Sequence, residues 1–270
     1  MEKVKKQNFN DKWRGIINED NSRDEDSIFV ELGKKPITQR QFNLFHYFEF
    51  IKSISLENNC HNVLEIGCGR GTISLYLNKY LHCNVSMADT SEEAIKLAKY
   101  NFSRFNGTGT FLVADAENLK FSDNSFDMVV SIGLAEHFKD YTKLFMEQYR
   151  VLRPGGIMIS LNIPQKSSIQ VINDLYRLFL KLSKQELKSD YFRNSDKPDD
   201  YRACAKRIGF EDISVFYVNP FPLLTPVNRR NEKIITIFYR IIYCVRSLFI
   251  KYPFKGSRLL SQAHFLIAKK

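Results

Sequence analysis

The sequence predicts an α/β chain: a doubly wound, seven-stranded, mostly parallel sheet with an antiparallel last strand and helical insertions as a cap. Three observations carry this expectation. Short apolar runs alternate with segments of helical periodicity from residue 62 to residue 161, and such alternation builds a parallel sheet covered on both faces. A glycine-rich turn, Gly67-Cys68-Gly69-Arg70-Gly71, joins the first apolar run to the helix-like segment after it. Arg153-Pro154-Gly155-Gly156 closes the last helix of the series and turns into a fifth strand.

Residues 1–36 are polar and irregular, with acids clustered from Glu19 to Asp26 and a single tryptophan, Trp13. They are expected to cross the surface, with the active site as one place to cover. Thr38-x-x-Gln41 reads as a capping box opening a helix to about Ser55, in which Phe42, Phe45, Phe48 and Ile51 recur at helical spacing as a core stripe. Residues 1–60 thus form a helical cap segment and 61–270 the main domain. Within the latter, strands are expected at 62–66, 84–88, 109–113, 126–131 and 156–161, with helices near 72–80, 91–104 and 140–152. Residues 165–197 read as a helical insertion. A short helix, Tyr201 to Ile208, is closed by Gly209, and Phe210 to Val218 and Ala263 to Lys269 complete the sheet. A second insertion occupies about 219–258.

Composition narrows the classes. Apolar content of 44% and charged content of 26% are those of a globular protein of 270 residues. The basic start is not followed by an apolar stretch, so no secretory signal is expected. The five cysteines (60, 68, 83, 204, 244) lack any Cys-x-x-Cys pair and point to reduced thiols in the cytoplasm. The net charge of +10 is uneven: from Arg229 to Lys270 ten cations face the single acid Glu232. That asymmetry suits an acidic partner, whether nucleic acid, anionic headgroups or a charged substrate; a solvated helix face is the plain alternative. Ile234 to Ile250 is apolar but interrupted by Arg240 and Arg246, too short and charged for a span. On a helix, Lys233, Arg240 and Lys251 fall on one side, and Ile234, Ile235, Phe238, Ile241, Ile242, Val245 and Phe249 on the other. This fits a helix on the inner face of an anionic membrane, a cap with its basic side outward, or packing on the domain.

The run Val63-Leu64-Glu65-Ile66-Gly67-Cys68-Gly69-Arg70-Gly71 carries most of the functional information. Dinucleotide loops read Gly-x-Gly-x-x-Gly and offer a helix N-terminus to a pyrophosphate; here the spacing is tighter and an acid precedes the first glycine. A carboxylate at the end of strand two, Asp89, can accept from vicinal ribose hydroxyls; its alternative is a helix N-cap ahead of Glu92 and Glu93.

The pattern Glu65-x-Gly67-x-Gly69-x-Gly71 resembles motif I of the class I S-adenosylmethionine-dependent methyltransferases. The resemblance covers 62–163 strongly and implies a Rossmann-like fold, S-adenosylmethionine as methyl donor, and a cofactor site at Glu65, Gly67, Cys68, Gly69, Gly71, Asp89, Thr90, Asp115, Ala116 and Ser131. It implies ribose binding by Asp89. It implies an adenine role for Asp115, whose carboxylate would accept from the exocyclic amine while the Ala116 N–H donates to a ring nitrogen; a surface turn is the alternative. After strand four, Ile132-Gly133-Leu134-Ala135-Glu136-His137 would face the methionine moiety and the acceptor. His137 can serve as general base near pH 7 or merely shape the pocket as a helix-start residue. Some ubiquinone-pathway O-methyltransferases hold a divalent metal through Glu-x-x-Glu-His; Gly133 stands where the first Glu would, so no metal is expected.

The organisation is similar to the small-molecule group of ubiquinone and menaquinone enzymes. The expected activity is methyl transfer to an O or N atom of a small or amphiphilic metabolite, lipid-linked compounds and saccharides included. A nucleic-acid methyltransferase using the basic C-terminal region is the alternative, opposed by Ser131-Ile132-Gly133-Leu134 where adenine N-methylating enzymes carry Asn/Asp-Pro-Pro-aromatic. A non-catalytic cofactor-binding protein is the third.

Overall fold

The computed structural model describes residue 13 and residues 29–164, 192–220, 229–258, 261 and 263–270. Helix α1 (Gln39–Glu57) begins at a capping box: the Thr38 hydroxyl accepts from Gln41 N–H at 3.1 Å and the Gln41 side chain accepts from Thr38 N–H at 3.2 Å. Its stripe enters the core as expected, with Phe42, Phe48 and Ile51 almost fully buried. Phe48 stacks on Tyr76 with centroids 4.6 Å apart, and the Tyr76 hydroxyl accepts from Val30 N–H at 2.7 Å. That bond ties the segment before α1 to the domain.

Seven strands follow: β1 (Asn62–Ile66), β2 (Asn84–Asp89), β3 (Thr110–Val113), β4 (Phe126–Ile132), β5 (Leu152–Asn162), β6 (Glu211–Val218) and β7 (Ala263–Lys269). They lie in the order β3-β2-β1-β4-β5-β7-β6. All pairs from β3 to β5 are parallel, and β7 is antiparallel to both β5 and β6. Strand order reverses between β1 and β4, and open α/β sheets bind ligands at the carboxyl edge of such a reversal. Below it, Asp127 accepts from the amides of His61 and Asn62 at 2.7 and 2.9 Å and pairs with Arg153 at 2.8 Å. This pins the amino ends of β1 and β4.

The helices are α2 (Thr72–Leu81), α3 (Glu92–Arg104), α4 (Thr142–Val151), α5 (Pro198–Ile208) and α6 (Arg229–Ser247). One core joins the sheet to α1, α2 and α3, and the other joins it to α4 and α5. Two sequence expectations change. The Arg153-Gly156 stretch is not a turn preceding the strand: β5 starts at Leu152, and the register jumps from Phe126–Leu152 to Met128–Ile157, so the extra residues are absorbed as an irregularity inside the strand. The expected insertion at 165–197 falls mostly on 165–191, outside the described residues.

The larger change concerns α6. Apart from Ile235, its apolar side does not pack on the domain, and no basic face is turned outward alone. Thr236 and Tyr239 are buried, Tyr243 stacks on His46 at 4.1 Å, and Ile234, Ile237, Phe238, Ile241, Val245, Leu248 and Phe249 are exposed. The reason lies in α1, which presents His46 and Phe42: flat tyrosine rings fill that aromatic surface in stacked and edge geometries. Gln39 N–H also donates to Glu232 at 3.3 Å, tying the start of α6 to that of α1.

Burial pushes the His46 imidazole down to about 3. A base with a depressed folded pKa stabilises the fold above its unfolded value, near 6.5, and loses that contribution as pH falls. Acidification to about pH 5 should therefore cost roughly 2 kcal/mol through this residue. Urea unfolding at the two pH values is expected to show a smaller acid loss for His46→Phe than for the native chain.

Candidate functional site

The site is built at the carboxyl edge where β1, β2 and β4 meet. Leaving β1, the chain bends so that Gly67 and Cys68 N–H both donate to Ala88 O of β2, at 2.8 and 3.2 Å. Gly67 and Gly69 adopt φ of +66° and +50°, where only glycine is unstrained. Space is short as well. A Cβ on Gly67 would stand 2.9 Å from Leu134 Cδ1, and one on Gly69 would stand 2.7 Å from the Trp13 ring. The glycine loop is thus in contact with the segment after β4 and with the indole of the N-terminal region.

Glu65 does not reach out to the edge. It is buried, and its Oε2 accepts from Ser74 N–H at 2.9 Å and from the Ser74 hydroxyl at 2.6 Å, binding the loop to the first turn of α2. Burial pushes its carboxyl up to about 7. Cys68 is buried beside it and burial holds its thiol well above the usual range, a space-filling and inert group.

Asp89 closes the loop from the other side. Its Oδ2 accepts from Gly69 N–H at 3.0 Å and its Oδ1 from Ser91 N–H at 2.9 Å. The N-cap of α3 is Ser91, whose hydroxyl accepts from Ala94 N–H at 3.2 Å, so Asp89 is not the helix cap. Thr90 is exposed beside it. The Asp89 carbonyl accepts from Ala114 N–H at 3.0 Å, which brings Asp115 and the buried Ala116 to the same edge. There Asp115 Oδ1 accepts from Glu117 N–H at 3.0 Å in a local turn. The donor set suits an adenosyl group without phosphate: backbone in close approach, acceptor-only carboxylates at two neighbouring strand ends, and the Ala116 amide beside them.

Ser131 lies beneath the site. Fully buried, it donates to Ser160 at 3.2 Å; Ser160 donates to Asn162 at 2.9 Å, and Asn162 Nδ2 lies 3.4 Å from His264 Nε2. Beyond it the chain rises through Gly133 into a 3-10 turn, Ala135–His137. His137 Nδ1 lies 2.7 Å from Phe192 O. A carbonyl only accepts, so Nδ1 carries the proton of this hydrogen bond.

Reading the sequence missed the residues that hold this turn. Asn194 N–H donates to Glu136 O at 2.7 Å, its Nδ2 to Phe138 O at 3.2 Å, and its Oδ1 accepts from the Tyr201 hydroxyl at 2.8 Å. Tyr47 hydrogen-bonds Asn219, and the nearby Glu136 carboxylate adds to burial in raising the Tyr47 and Tyr201 hydroxyls. Asn194 precedes the Pro198 helix start by four residues with no pattern of its own; only the aromatic Tyr201 on the buried side of α5 offered a signal.

Residues 64–160, from β1 through β5, match the Methyltransferase domain family. The ubiquinone/menaquinone biosynthesis C-methyltransferase UbiE of Rickettsia bellii is 31% identical over 187 residues, which cover 62% of this chain and 74% of that protein. The chain belongs to the class I S-adenosylmethionine-dependent methyltransferases. S-adenosylmethionine is the methyl donor of this methyltransferase. The phthiotriol/phenolphthiotriol dimycocerosates methyltransferase 1 of Mycobacterium ulcerans is 30% identical over 174 residues. The alignment covers 63% of this methyltransferase and only 61% of the mycobacterial protein. A sarcosine dimethylglycine methyltransferase candidate from Galdieria sulphuraria shares the fold, with a TM-score of 0.63 at 19% identity, over 96% of this chain and 98% of its own.

The raised Glu65 has a measurable consequence. A carboxyl whose folded pKa exceeds its unfolded value favours the fold while protonated, and that contribution is lost as pH rises from about 4.5 to about 7. The loss should amount to roughly 3 kcal/mol. Denaturant unfolding across this range is expected to show the decline in the native methyltransferase and a flatter profile in Glu65→Gln. The slope runs opposite to that of His46, so the two variants separate the contributions.

Proposed function

We propose that this methyltransferase methylates an oxygen or nitrogen atom of a small, amphiphilic metabolite held at the carboxyl ends of β4 and β5. The observation carrying this reading is the fixed ring of His137, with Nδ1 donating to Phe192 O, so that Nε2 is the acceptor nitrogen of the neutral imidazole. Bound, the donor supplies an electrophilic methyl group on a sulfonium. In this reading Gly67, Cys68, Gly69 and Gly71 shape the backbone cradle, and Glu65 holds that cradle to α2. Asp89, with Thr90 beside it, accepts from the ribose hydroxyls; Asp115 and the Ala116 N–H meet the adenine edge; Ser131 supports β4 from below. On transfer the methyl–sulfur bond would break to leave S-adenosylhomocysteine, and the Nε2 of a neutral His137 would take the proton that the methylated oxygen or nitrogen releases. Orientation of the acceptor supplies the larger share of the rate.

The amphiphilic nature of the acceptor is drawn from two sources. The Rickettsia and Mycobacterium relatives are named for quinone biosynthesis and for phthiotriol dimycocerosates, both lipid-like compounds. Residues 229–251 also suit peripheral contact with an anionic membrane, which would place the enzyme at the inner membrane face. Because the Rickettsia relative is a C-methyltransferase, methylation at carbon is the second reading. Carbon-13-labelled donor supplied with a lipid extract distinguishes the two, since the product's NMR shift identifies the methylated atom.

Two substitutions test the residue roles. Asp89→Ala is expected to weaken S-adenosylhomocysteine binding by calorimetry at least about tenfold, the value of a lost charge-assisted hydrogen bond; retained affinity would overturn the ribose assignment. His137→Ala should lower turnover by about 10²–10⁴ while cofactor affinity is kept. Unchanged turnover would leave His137 as a wall of the pocket only.

A further inference from the structure

Helix α6 leaves outside what a soluble domain normally puts inside. Ile234, Phe238, Ile241 and Val245 follow one another at three- and four-residue steps, and Leu248 and Phe249 continue the stripe in the turn just after the helix. Phe238 is 64% exposed, Leu248 76% and Phe249 82%. At about 100° per residue the stripe, with the exposed Ile237 and Ile242 at its edges, spans roughly 140° of the helix surface. A contiguous patch of this kind marks an interaction surface rather than a scattering of single apolar residues. No helix among the described residues is long and apolar enough to cross a membrane, so the stripe has to be met from one side.

Charge decides what meets it. Lys233 and Arg240 lie along one flank of the helix, and Lys251, Lys255 and Arg258 are exposed just beyond it. Between residues 229 and 270 a single acid opposes ten cations. A second copy docked face to face would bring the same cations against one another. A bilayer bearing anionic headgroups instead complements them, while lysine and arginine stems run along the apolar surface to the headgroup level. We infer that the outward stripe of α6 lies in the surface of an anionic lipid bilayer, with Lys233, Arg240 and the cations just beyond the helix at the headgroups.

The docked helix would stand beside the active-site edge. Helix α1 runs into the amino end of β1, so its own start lies towards the carboxyl edge, and the Gln39–Glu232 bond ties the start of α6 there. This inference extends the amphiphilic-acceptor reading to a partner surface but is measured without any methyl acceptor.

Flotation with vesicles of phosphatidylglycerol and phosphatidylcholine, and with phosphatidylcholine alone, tests it on the full chain. Cys244 is exposed and the other four cysteines are buried, so an environment-sensitive fluorophore on Cys244 reports insertion directly. The native chain should float with the anionic vesicles, less so with the neutral ones and less at high salt, with a blue shift of the dye. Phe238→Asp combined with Phe249→Asp should weaken partition at least about tenfold, with S-adenosylhomocysteine affinity and thermal unfolding unchanged. A native chain that stays soluble with anionic vesicles, or a double variant that floats equally well, overturns the inference. So does a native dimer in analytical ultracentrifugation that the double variant splits, which would assign the stripe to a second copy. Failure to float alongside confirmed transfer to a lipid-like acceptor sinks only the surface; floating alongside a water-soluble acceptor sinks only the acceptor reading.

Discussion

One carbonyl organises the centre of this protein. Ala88 O receives the amides of both Gly67 and Cys68, so the loop after β1 is bent over the end of β2 by hydrogen bonds that the parallel ladder itself would have spent. The next residue, Asp89, takes the Gly69 amide on its carboxylate, and its carbonyl receives the amide of Ala114, the residue after β3. Three strand ends are therefore locked to each other through two successive residues. The positive φ angles of the loop, the depth of Glu65 and the place of Asp115 all follow from that lock.

The sheet was legible because its signals are local. Strand lengths, the glycine turn and the Thr38–Gln41 cap depend on neighbours a few residues apart, and β1 and β7 fall where periodicity puts them. The positions of Asp89 and Asp115 at adjacent strand ends were legible for the same reason: each is the first acid after an apolar run. What escaped the sequence is what depends on distant partners. Nothing near Glu65 announces that Ser74 will take up its carboxylate, and nothing near Asn194 announces that it will hold the 3-10 turn of His137 from 55 or more residues away in the chain. Ser131 shows the same limit. Its strand position was readable, but its commitment to Ser160 and the row behind it required the β4–β5 register.

Helix α6 shows a different kind of limit. Its two-sided pattern was plain, yet the pattern says only that two environments exist. Which side meets the protein was settled by the shape of α1, whose His46 and Phe42 accept flat rings and leave little for branched aliphatic chains. Thr236 and the tyrosines accordingly turned inward. Hydrophobicity ranks residues by their dislike of water; aromatic complementarity chose among them.

Trp13 is the chain's only tryptophan, and its ring lies directly on Gly69. Indole emission responds to the polarity and polar groups in contact with the ring. Whatever displaces or desolvates that glycine turn changes the light of a single residue, so the protein carries its own optical probe at the centre of its glycine loop, without a label and without a second indole to compete with it.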